Sequence, residues 1–153
     1  MAPDFRLRPA EPADYDRVIA VVDDWWGRSI HGSLPRLFLD HFHRTSIIAE
    51  HDERLGGFLV GFLSPSMPDA AYIHFVGVDP RFRGNGLARR LYRGFFDIAQ
   101  AGHRSVVRAI TSPQNDASIA FHTKMGFTVT GPHPDYDGPS TDRILFERRL
   151  PTM

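Results

Sequence analysis

The segment whose residue types and spacing most specifically indicate chemistry is a turn rich in arginine and glycine. It reads Arg81-Phe82-Arg83-Gly84-Asn85-Gly86, follows the apolar stretch Val76-Gly77-Val78 and precedes a helical pattern. Two glycines let a backbone approach a ligand closely and turn its N–H groups outward. The positive end of the following helix completes an anion site, to which the two arginines add charge. A pyrophosphate is the predicted ligand.

Other interpretations of this turn weigh against that prediction. A Gly-Asn-Gly turn between a strand and a helix is often only a turn. The segment is not a P-loop, because no Gly-Lys-Ser/Thr follows. It is not a convincing dinucleotide fingerprint either, because Arg89 stands where a third glycine is expected. The flanking arginines favour phosphate binding over a purely structural turn.

Two motifs, in the expected order of elements, resemble those of the GNAT acetyltransferase superfamily. Arg81-x-x-Gly84-x-Gly86 after Val78-Asp79-Pro80 resembles the acetyl-coenzyme-A loop of that family. The stretch 115–127 (NDASIAFHTKMGF) resembles the family's Asn-x-x-Ala…Tyr-x-x-x-Gly-Phe helix and strand start. The resemblance is best over residues 72–127, and the first sixty residues match in element order only.

The resemblance implies that acetyl-CoA is bound as acyl-donor co-substrate. Its pantetheine arm would lie along the strand before the turn, where Gly77 fits close backbone approach, although a simple bulge would also explain it. Asn115, Ser118 and His122 recur at i, i+3 and i+7, so they share one helix face. The implied cofactor contacts are Val76, Gly77, Val78, Arg81, Arg83, Gly84, Asn85, Gly86, Leu87, Ala88, Asn115, Ser118 and Phe121.

Acetyl transfer to an amine needs a proton acceptor and a proton donor. A substrate ammonium with a pKa near 10.4 is less than a thousandth neutral at pH 7, a penalty of roughly 4 kcal/mol. The position of the family's glutamate base corresponds to His74, and the position of its tyrosine acid corresponds to His122. The histidine at the second position is a departure from the family pattern, so Tyr136 is a reserve candidate for the acid. Either histidine could instead be a structural residue.

The acceptor site carries weaker signals. Asp24 and Trp25 close the first predicted helix, where the family places part of this site, and His74 is a further substrate contact. The carboxylate could attract an amine and the indole could stack on it, but a polar edge beside core aromatics is the plainer interpretation. We expect direct acetylation of a small primary amine first and of a protein amine second. A CoA-binding sensor or interaction module without efficient transfer is the alternative, and the preferred acyl group stays open.

Hydrophobic periodicity supplies the elements that would position these residues. Strands are predicted at 5–8, 47–49, 55–63, 72–78, 105–110, 127–130 and 143–149. Helices are predicted at about 14–26, 34–44, 86–100 and 115–125. In the second helix Leu37, Phe38 and either His41 or Phe42 are predicted to turn inward, and Gly102 is predicted to end the third. This order predicts an α/β fold with a mixed, mostly antiparallel sheet of about seven strands and helices on both faces. In the resembling family two of those strands splay apart to hold acetyl-CoA. Residues 1–153 are predicted to form one domain.

Composition excludes several classes of function. The chain has no cysteine, so a disulfide framework, a thiolate metal site and an acyl-cysteine intermediate are excluded. Eighteen basic and eighteen acidic residues cancel, which argues against a general nucleic-acid or acidic-lipid binder. His41 and His43 point in different directions on a helix, so no metal site is predicted. With no apolar run near ~20 residues and no secretory signal, a cytoplasmic protein is expected. The resemblance leaves a homodimer open.

Overall fold

The computed structural model describes residues 4–151. Residues 1–3 and 152–153 lie outside the described range. The N-terminal segment, in which we predict no secretory signal, is therefore described only in part. The strands are β1 (Arg6–Pro9), β2 (Ile47–His51), β3 (Arg54–Leu63), β4 (Ala70–Val78), β5 (Val106–Thr111), β6 (Thr128–His133) and β7 (Arg143–Arg149). The helices are α1 (Tyr15–Trp26), α2 (Leu37–Phe42), α3 (Leu87–Ala101) and α4 (Asp116–Lys124).

The strands are hydrogen-bonded in the order β1-β2-β3-β4-β5-β7-β6. The pair β4–β5 is parallel, whereas β1–β2, β2–β3, β5–β7 and β6–β7 are antiparallel. The prediction of a mixed, mostly antiparallel sheet of about seven strands is therefore confirmed. The β4–β5 ladder comprises Ala70 to Tyr72 against Val106 to Arg108. The described residues of β4 beyond Tyr72 are not part of that ladder.

Contacts divide the chain into two compact units. The first contains the described residues up to Phe62 together with Ile73–Ile98, and the second contains Leu63–Tyr72 with the described residues from Ala99 onward. The strand β4 contributes residues to both units. The expectation of a single domain stays a prediction.

In the first unit, helical periodicity places the core. Val18, Val22 and Trp25 of α1 recur at i, i+4 and i+7, and all three are buried. The helix ends at Gly27, which adopts a φ of 72° and donates its N–H to the carbonyl of Asp23. The helix α3 likewise buries an apolar stripe, formed by Leu87, Leu91 and Phe95.

The second predicted helix is shorter than expected, and part of its inward face is wrong. The helix α2 covers Leu37–Phe42 and is followed by a 3₁₀ turn over His43–Thr45. Leu37 is 49% exposed, while Leu34 and Leu39 are fully buried. Because the helix begins three residues later than predicted, Leu34 enters the core from the preceding loop and the buried face turns to Leu39.

The second unit packs α4 against the strands β6 and β7. His122 of α4 stacks on Phe146 of β7 with ring centroids 3.8 Å apart. Phe127 contacts both rings edge-on, at 5.0 Å from His122 and 6.4 Å from Phe146. These aromatic side chains form a buried cluster beneath the helix.

Candidate functional site

The turn that the sequence singles out lies in the first unit, between β4 and α3. Gly84 and Gly86 adopt φ angles of 86° and 77°, the left-handed region that favours glycine. A Cβ added at either glycine would meet no atom within 4 Å, so the space beside the turn is open. The N–H of Arg90 donates to the carbonyl of Gly86, which starts α3. The N–H groups of the three residues before Arg90 therefore lack helical acceptors and suit an anionic ligand.

The two arginines of the turn are held by the protein itself. Asp79 is 6% exposed, accepts the N–H of Arg81 at 2.9 Å and pairs with the Arg81 guanidinium at 2.8 Å. The hydrogen bond from that guanidinium lowers the pKa of Asp79, which keeps the carboxylate charged at neutral pH. Arg83 donates through Nη2 to the carbonyl of Trp25 at 2.7 Å, near the C-terminus of α1. Their predicted pyrophosphate contacts stay predictions.

Gly77 is required by packing on one face of β4. A Cβ at this position would lie 2.6 Å from the ring of Phe58 and 3.0 Å from the indole of Trp26. Both distances are shorter than ordinary van der Waals contact, so a side chain would displace these aromatic rings. Packing against Phe58 and Trp26 therefore explains why glycine occupies position 77. A role of the strand backbone in ligand binding stays a prediction.

His74 has the features of a proton acceptor. Its Nε2 lies 2.8 Å from the carbonyl oxygen of Ser33, which only accepts, so Nε2 carries the proton and Nδ1 the lone pair. Its ring stacks on Phe38 at 3.9 Å between centroids. Burial lowers the pKa of His74 below its ordinary value of 6.5, so the ring is neutral at pH 7. A neutral imidazole can remove a proton from an ammonium.

The predicted acceptor residues Asp24 and Trp25 differ in exposure. Asp24 is exposed, whereas Trp25 is 8% exposed and stacks on Phe58 at 5.9 Å. Trp25 therefore belongs to the core cluster of the first unit. This arrangement favours the plainer interpretation of Trp25 as a core aromatic, and the substrate role of both residues stays a prediction.

In the second unit, Asn115, Ser118 and His122 contact one another in series along α4. Asn115 caps the helix, because its Oδ1 accepts the N–H of Ser118 at 3.2 Å. The hydroxyl of Ser118 lies 3.3 Å from Nδ1 of His122. Phe121 is half-buried beside the same ring. The structure brings these residues together as the helical spacing predicts, while their contacts with a cofactor stay predictions.

The surroundings of His122 weigh against its predicted acid role. The side chain is 5% exposed, and Nδ1 donates to the carbonyl of Ser118 at 2.7 Å. Burial lowers the pKa of His122, so the ring is neutral at pH 7. A neutral imidazole is a poor proton donor to a thiolate. The reserve acid, Tyr136, is 50% exposed and lines a cavity of about 330 Å³ in the second unit.

Sequence reasoning missed two charged residues of this cavity, Arg108 on β5 and Glu147 on β7. A charged residue in the middle of the apolar stretch Val106–Ile110 is a signal that could have drawn attention to the first of them. Among the residues that the structure describes, no group of three or more His, Asp or Glu side chains could hold a metal ion. No helix in the described range is long and apolar enough to cross a membrane.

The model of the acetyltransferase (GNAT) family matches residues 8–127. The chain therefore belongs to the acetyltransferase (GNAT) family.

Curated relatives match about half of the chain. An L-2,4-diaminobutyric acid acetyltransferase of Vibrio parahaemolyticus is 36% identical over 85 residues, which is 56% of this chain and 47% of the relative. The N-alpha-acetyltransferase RimI of Mycobacterium tuberculosis is 37% identical over 83 residues, which is 51% of each chain. The chain thus spans about half the length of the curated relatives it matches.

Solved structures match nearly the whole chain. The diaminobutyrate acetyltransferase EctA of Paenibacillus lautus, in complex with L-2,4-diaminobutyric acid and coenzyme A, is 26% identical with a TM-score of 0.73 and 95% coverage of both chains. Ard1 of Thermoplasma volcanium is 23% identical with a TM-score of 0.80, covering 96% of this chain and 98% of the other. The second likeness concerns the fold alone.

Proposed function

We propose that this chain is an acetyl-CoA-dependent N-acetyltransferase that acts on a primary amine of a small molecule by direct attack. The observation that carries the proposal is the open, left-handed Gly84-Asn85-Gly86 turn at the start of α3, in a chain of the GNAT family. Such a turn offers backbone N–H groups and a helix dipole to a pyrophosphate. The EctA structure bound to coenzyme A supports the same donor here.

The residues of β4 supply the proposed proton acceptor and electrostatic stabilisation. The amine attacks the carbonyl carbon of the acetyl-CoA thioester and forms the amide bond. The C–S bond breaks, and CoA takes up a proton and leaves as a thiol. His74 removes the proton of the substrate ammonium through Nδ1, because Nε2 is held by Ser33. Backbone N–H groups from Val76 to Val78 would polarise the thioester oxygen. The absence of cysteine supports direct attack rather than transfer through a thiol-borne acyl-enzyme.

The acceptor class is supported by the curated relatives. Several are named for L-2,4-diaminobutyric acid, a small molecule with two amines, and one is an N-alpha-acetyltransferase. We therefore place a small-molecule amine first and a protein amine second. A cytoplasmic location and the absence of nucleic-acid and membrane partners stay predictions, and a homodimer stays open.

A specific observation favours the alternative of a CoA-binding sensor. The position of the family's tyrosine acid holds His122, which is buried and neutral. The sensor predicts CoA binding without turnover on any amine. Replacing His122 by Phe is the second test: reduced turnover at unchanged CoA affinity supports an acid role, and full activity removes His122 from it. Competition among acetyl-, propionyl- and succinyl-CoA identifies the preferred acyl group.

The decisive experiment combines calorimetric titration of acetyl-CoA with thiol release against a panel of small amines. We expect binding together with amine-dependent thiol release. Binding without release on any amine would favour the sensor, and no binding would show that the turn is only structural.

The matched variants are Gly84→Glu and Gly84→Ala. Both variants place a side chain at positive φ, which costs about 1–2 kcal/mol. The glutamate also brings a negative charge into the predicted pyrophosphate site. We expect Gly84→Glu to abolish binding and Gly84→Ala to weaken it less, whereas unchanged affinity of the glutamate variant would contradict the assignment of the turn.

A further inference from the structure

A row of polar side chains crosses four strands of the second unit. The β4–β5 register pairs Tyr72 with Arg108, the β5–β7 register pairs Arg108 with Glu147, and the β6–β7 register pairs Glu147 with Thr128. Paired residues project from the same face of a sheet. All four line the cavity of about 330 Å³, so this row forms one side of its floor.

A second row, two residues further along each strand, is mainly apolar. Ile110 of β5 pairs with Leu145 of β7, which pairs in turn with Thr130 of β6. These residues line the same cavity, and Met67 and Tyr136 stand at its wall. The volume lies at the lower end of the range for small-molecule pockets. The floor therefore offers a charged half beside an apolar half, at the scale of a single small ligand.

The guanidinium of Arg108 makes only long contacts within the described part of the chain. Its Nε is buried and has no hydrogen-bond partner within the described part of the chain. Nη1 contacts only the weak acceptor Sδ of Met67, at 3.6 Å. Nη2 lies 3.4 Å from a carboxylate oxygen of Glu147, longer than a charge-assisted hydrogen bond. Of five donors, none makes a strong bond to an acceptor in the described structure.

The pair Arg108–Glu147 presents one positive and one negative group side by side. A ligand with a carboxylate and an ammonium on adjacent atoms matches both charges and leaves the net charge of the cavity unchanged. A carboxylate binds a guanidinium in bidentate geometry, which is the strong form of this contact. Burial also raises the pKa of Tyr72 to about 12, so its hydroxyl keeps its proton at neutral pH.

We propose that this cavity binds the charged head of a small α-amino acid, with the carboxylate on Arg108 and the α-ammonium on Glu147. The inference rests on the proposed function and narrows its acceptor to an α-amino acid that carries a second amine to receive the acetyl group. Tyr136, the reserve candidate for the acid, lines the same cavity. A diamine without a carboxylate would leave the charge of Arg108 unmatched and would bind weakly.

The test compares L-2,4-diaminobutyrate with 1,3-diaminopropane, which has the same amines and lacks the carboxylate. Calorimetry on the full chain without acetyl-CoA measures acceptor binding by itself. We expect the amino acid to bind at least tenfold more tightly than the diamine. Equal affinities would overturn the proposal, as would no binding of the amino acid up to millimolar concentrations.

Variants assign the contact to the side chains. Arg108→Gln is expected to weaken diaminobutyrate binding at least tenfold and to leave the affinity for diaminopropane unchanged. The affinity of Arg108→Lys for diaminobutyrate is expected to lie between those of wild type and Arg108→Gln. Arg149→Gln, at the exposed end of β7, is the matched control and should bind normally. Glu147→Gln should weaken both ligands, since both bring an ammonium. Thermal unfolding of each variant verifies that it is folded. Unchanged affinity in a folded Arg108→Gln would contradict the proposal.

Thiol release with acetyl-CoA separates this inference from the proposed function. Carboxylate-dependent binding without thiol release on any amine would support the cavity assignment and contradict the transferase. Thiol release at equal kcat/KM for both compounds would support the transferase and contradict the cavity assignment.

Discussion

The two histidines predicted to be catalytic have the same protonation state at pH 7 for the same structural reason. His74 sits between the carbonyl of Ser33 and the ring of Phe38, and His122 sits between the carbonyl of Ser118 and the ring of Phe146. Each ring thus contacts an aromatic face and a backbone carbonyl. Burial lowers both pKa values below 6.5, so each ring is neutral in the folded protein at pH 7.

The lowered pKa of His122 predicts a pH dependence of stability. Its ordinary value in the unfolded chain is near 6.5, above the folded value. Below about pH 6.5 the unfolded chain therefore binds more protons than the folded protein, so the free energy of unfolding decreases as the pH falls. We expect His122→Phe to lose less stability between pH 7.5 and 5.5 than wild type does, measured by urea unfolding. His41→Gln, an exposed position on α2, is the control and should follow wild type. An identical pH dependence in His122→Phe would contradict this origin.

Among the secondary-structure elements, ion pairs connect the start of α1 to the strands β1 and β2. Asp14 is 5% exposed and receives two hydrogen bonds from Arg8, at 2.8 and 2.9 Å. Glu50 joins the same cluster through Arg8 at 3.0 Å and Arg17 at 2.9 Å. Hydrogen bonds from Arg8 lower the pKa of both carboxyl groups. Their contribution to stability is present above about pH 4 and is lost as the pH falls below it.

Removing the charge of Asp14 is expected to be costly. Asp14→Asn leaves the guanidinium of Arg8 partly uncompensated beside a buried amide, so we expect a loss of about 3 kcal/mol in the free energy of unfolding. Asp16→Asn, at an exposed position in the first turn of α1, is expected to change stability by less than about 0.5 kcal/mol. Urea unfolding of both variants measures the difference. Equal losses in the two variants would show that the buried cluster contributes no more to the free energy of unfolding than an exposed ion pair does.

The helix α3 ends at Ala101, directly before the predicted stop at Gly102, but the left-handed residue is the next one along the chain. His103, not Gly102, has positive φ, at 59°. The N–H of Arg104 donates to the carbonyl of Ala99, and that of His103 to the carbonyl of Gln100. These two bonds define a Schellman motif with His103 at the left-handed position.

That geometry predicts a stabilising substitution. His103→Gly removes the steric cost of a side chain at positive φ, partly offset by the greater freedom of glycine in the unfolded chain. We expect a gain of about 0.5–1 kcal/mol in the free energy of unfolding. His103→Ala keeps the strained side chain and should give no such gain. A destabilised glycine variant in urea unfolding would contradict the motif.

At the scale of the whole molecule, the division of β4 makes a prediction about cooperativity. Ala70 to Tyr72 belong to one compact unit and Ile73 to Val78 to the other, so unfolding of either unit would disrupt this strand. We therefore expect one calorimetric transition, with equal van't Hoff and calorimetric enthalpies of about 100 kcal/mol. Two resolved transitions would show that the chain holds two domains.

Local patterns along the chain were sufficient to locate the elements and to identify the chemistry of the turn. Apolar residues at helical or alternating spacing located four helices and seven strands, because that periodicity is a property of neighbouring residues. The glycines of the turn were likewise identifiable, since positive φ at Gly84 and Gly86 is a local demand. Where the prediction failed, at α2, a core residue came from a loop and carried no periodic signal.

Which side chains contact one another depends on the folded arrangement of distant segments. The Arg108–Glu147 pair depends on strand register between residues far apart in sequence, and the burial of His122 depends on Phe146 and Phe127. Neither contact follows from spacing along the chain, because a shift of one residue in register would turn each side chain to the opposite face of the sheet. Register and packing are fixed by the balance of burial over the folded chain, so the cavity and the neutral state of His122 become visible only there.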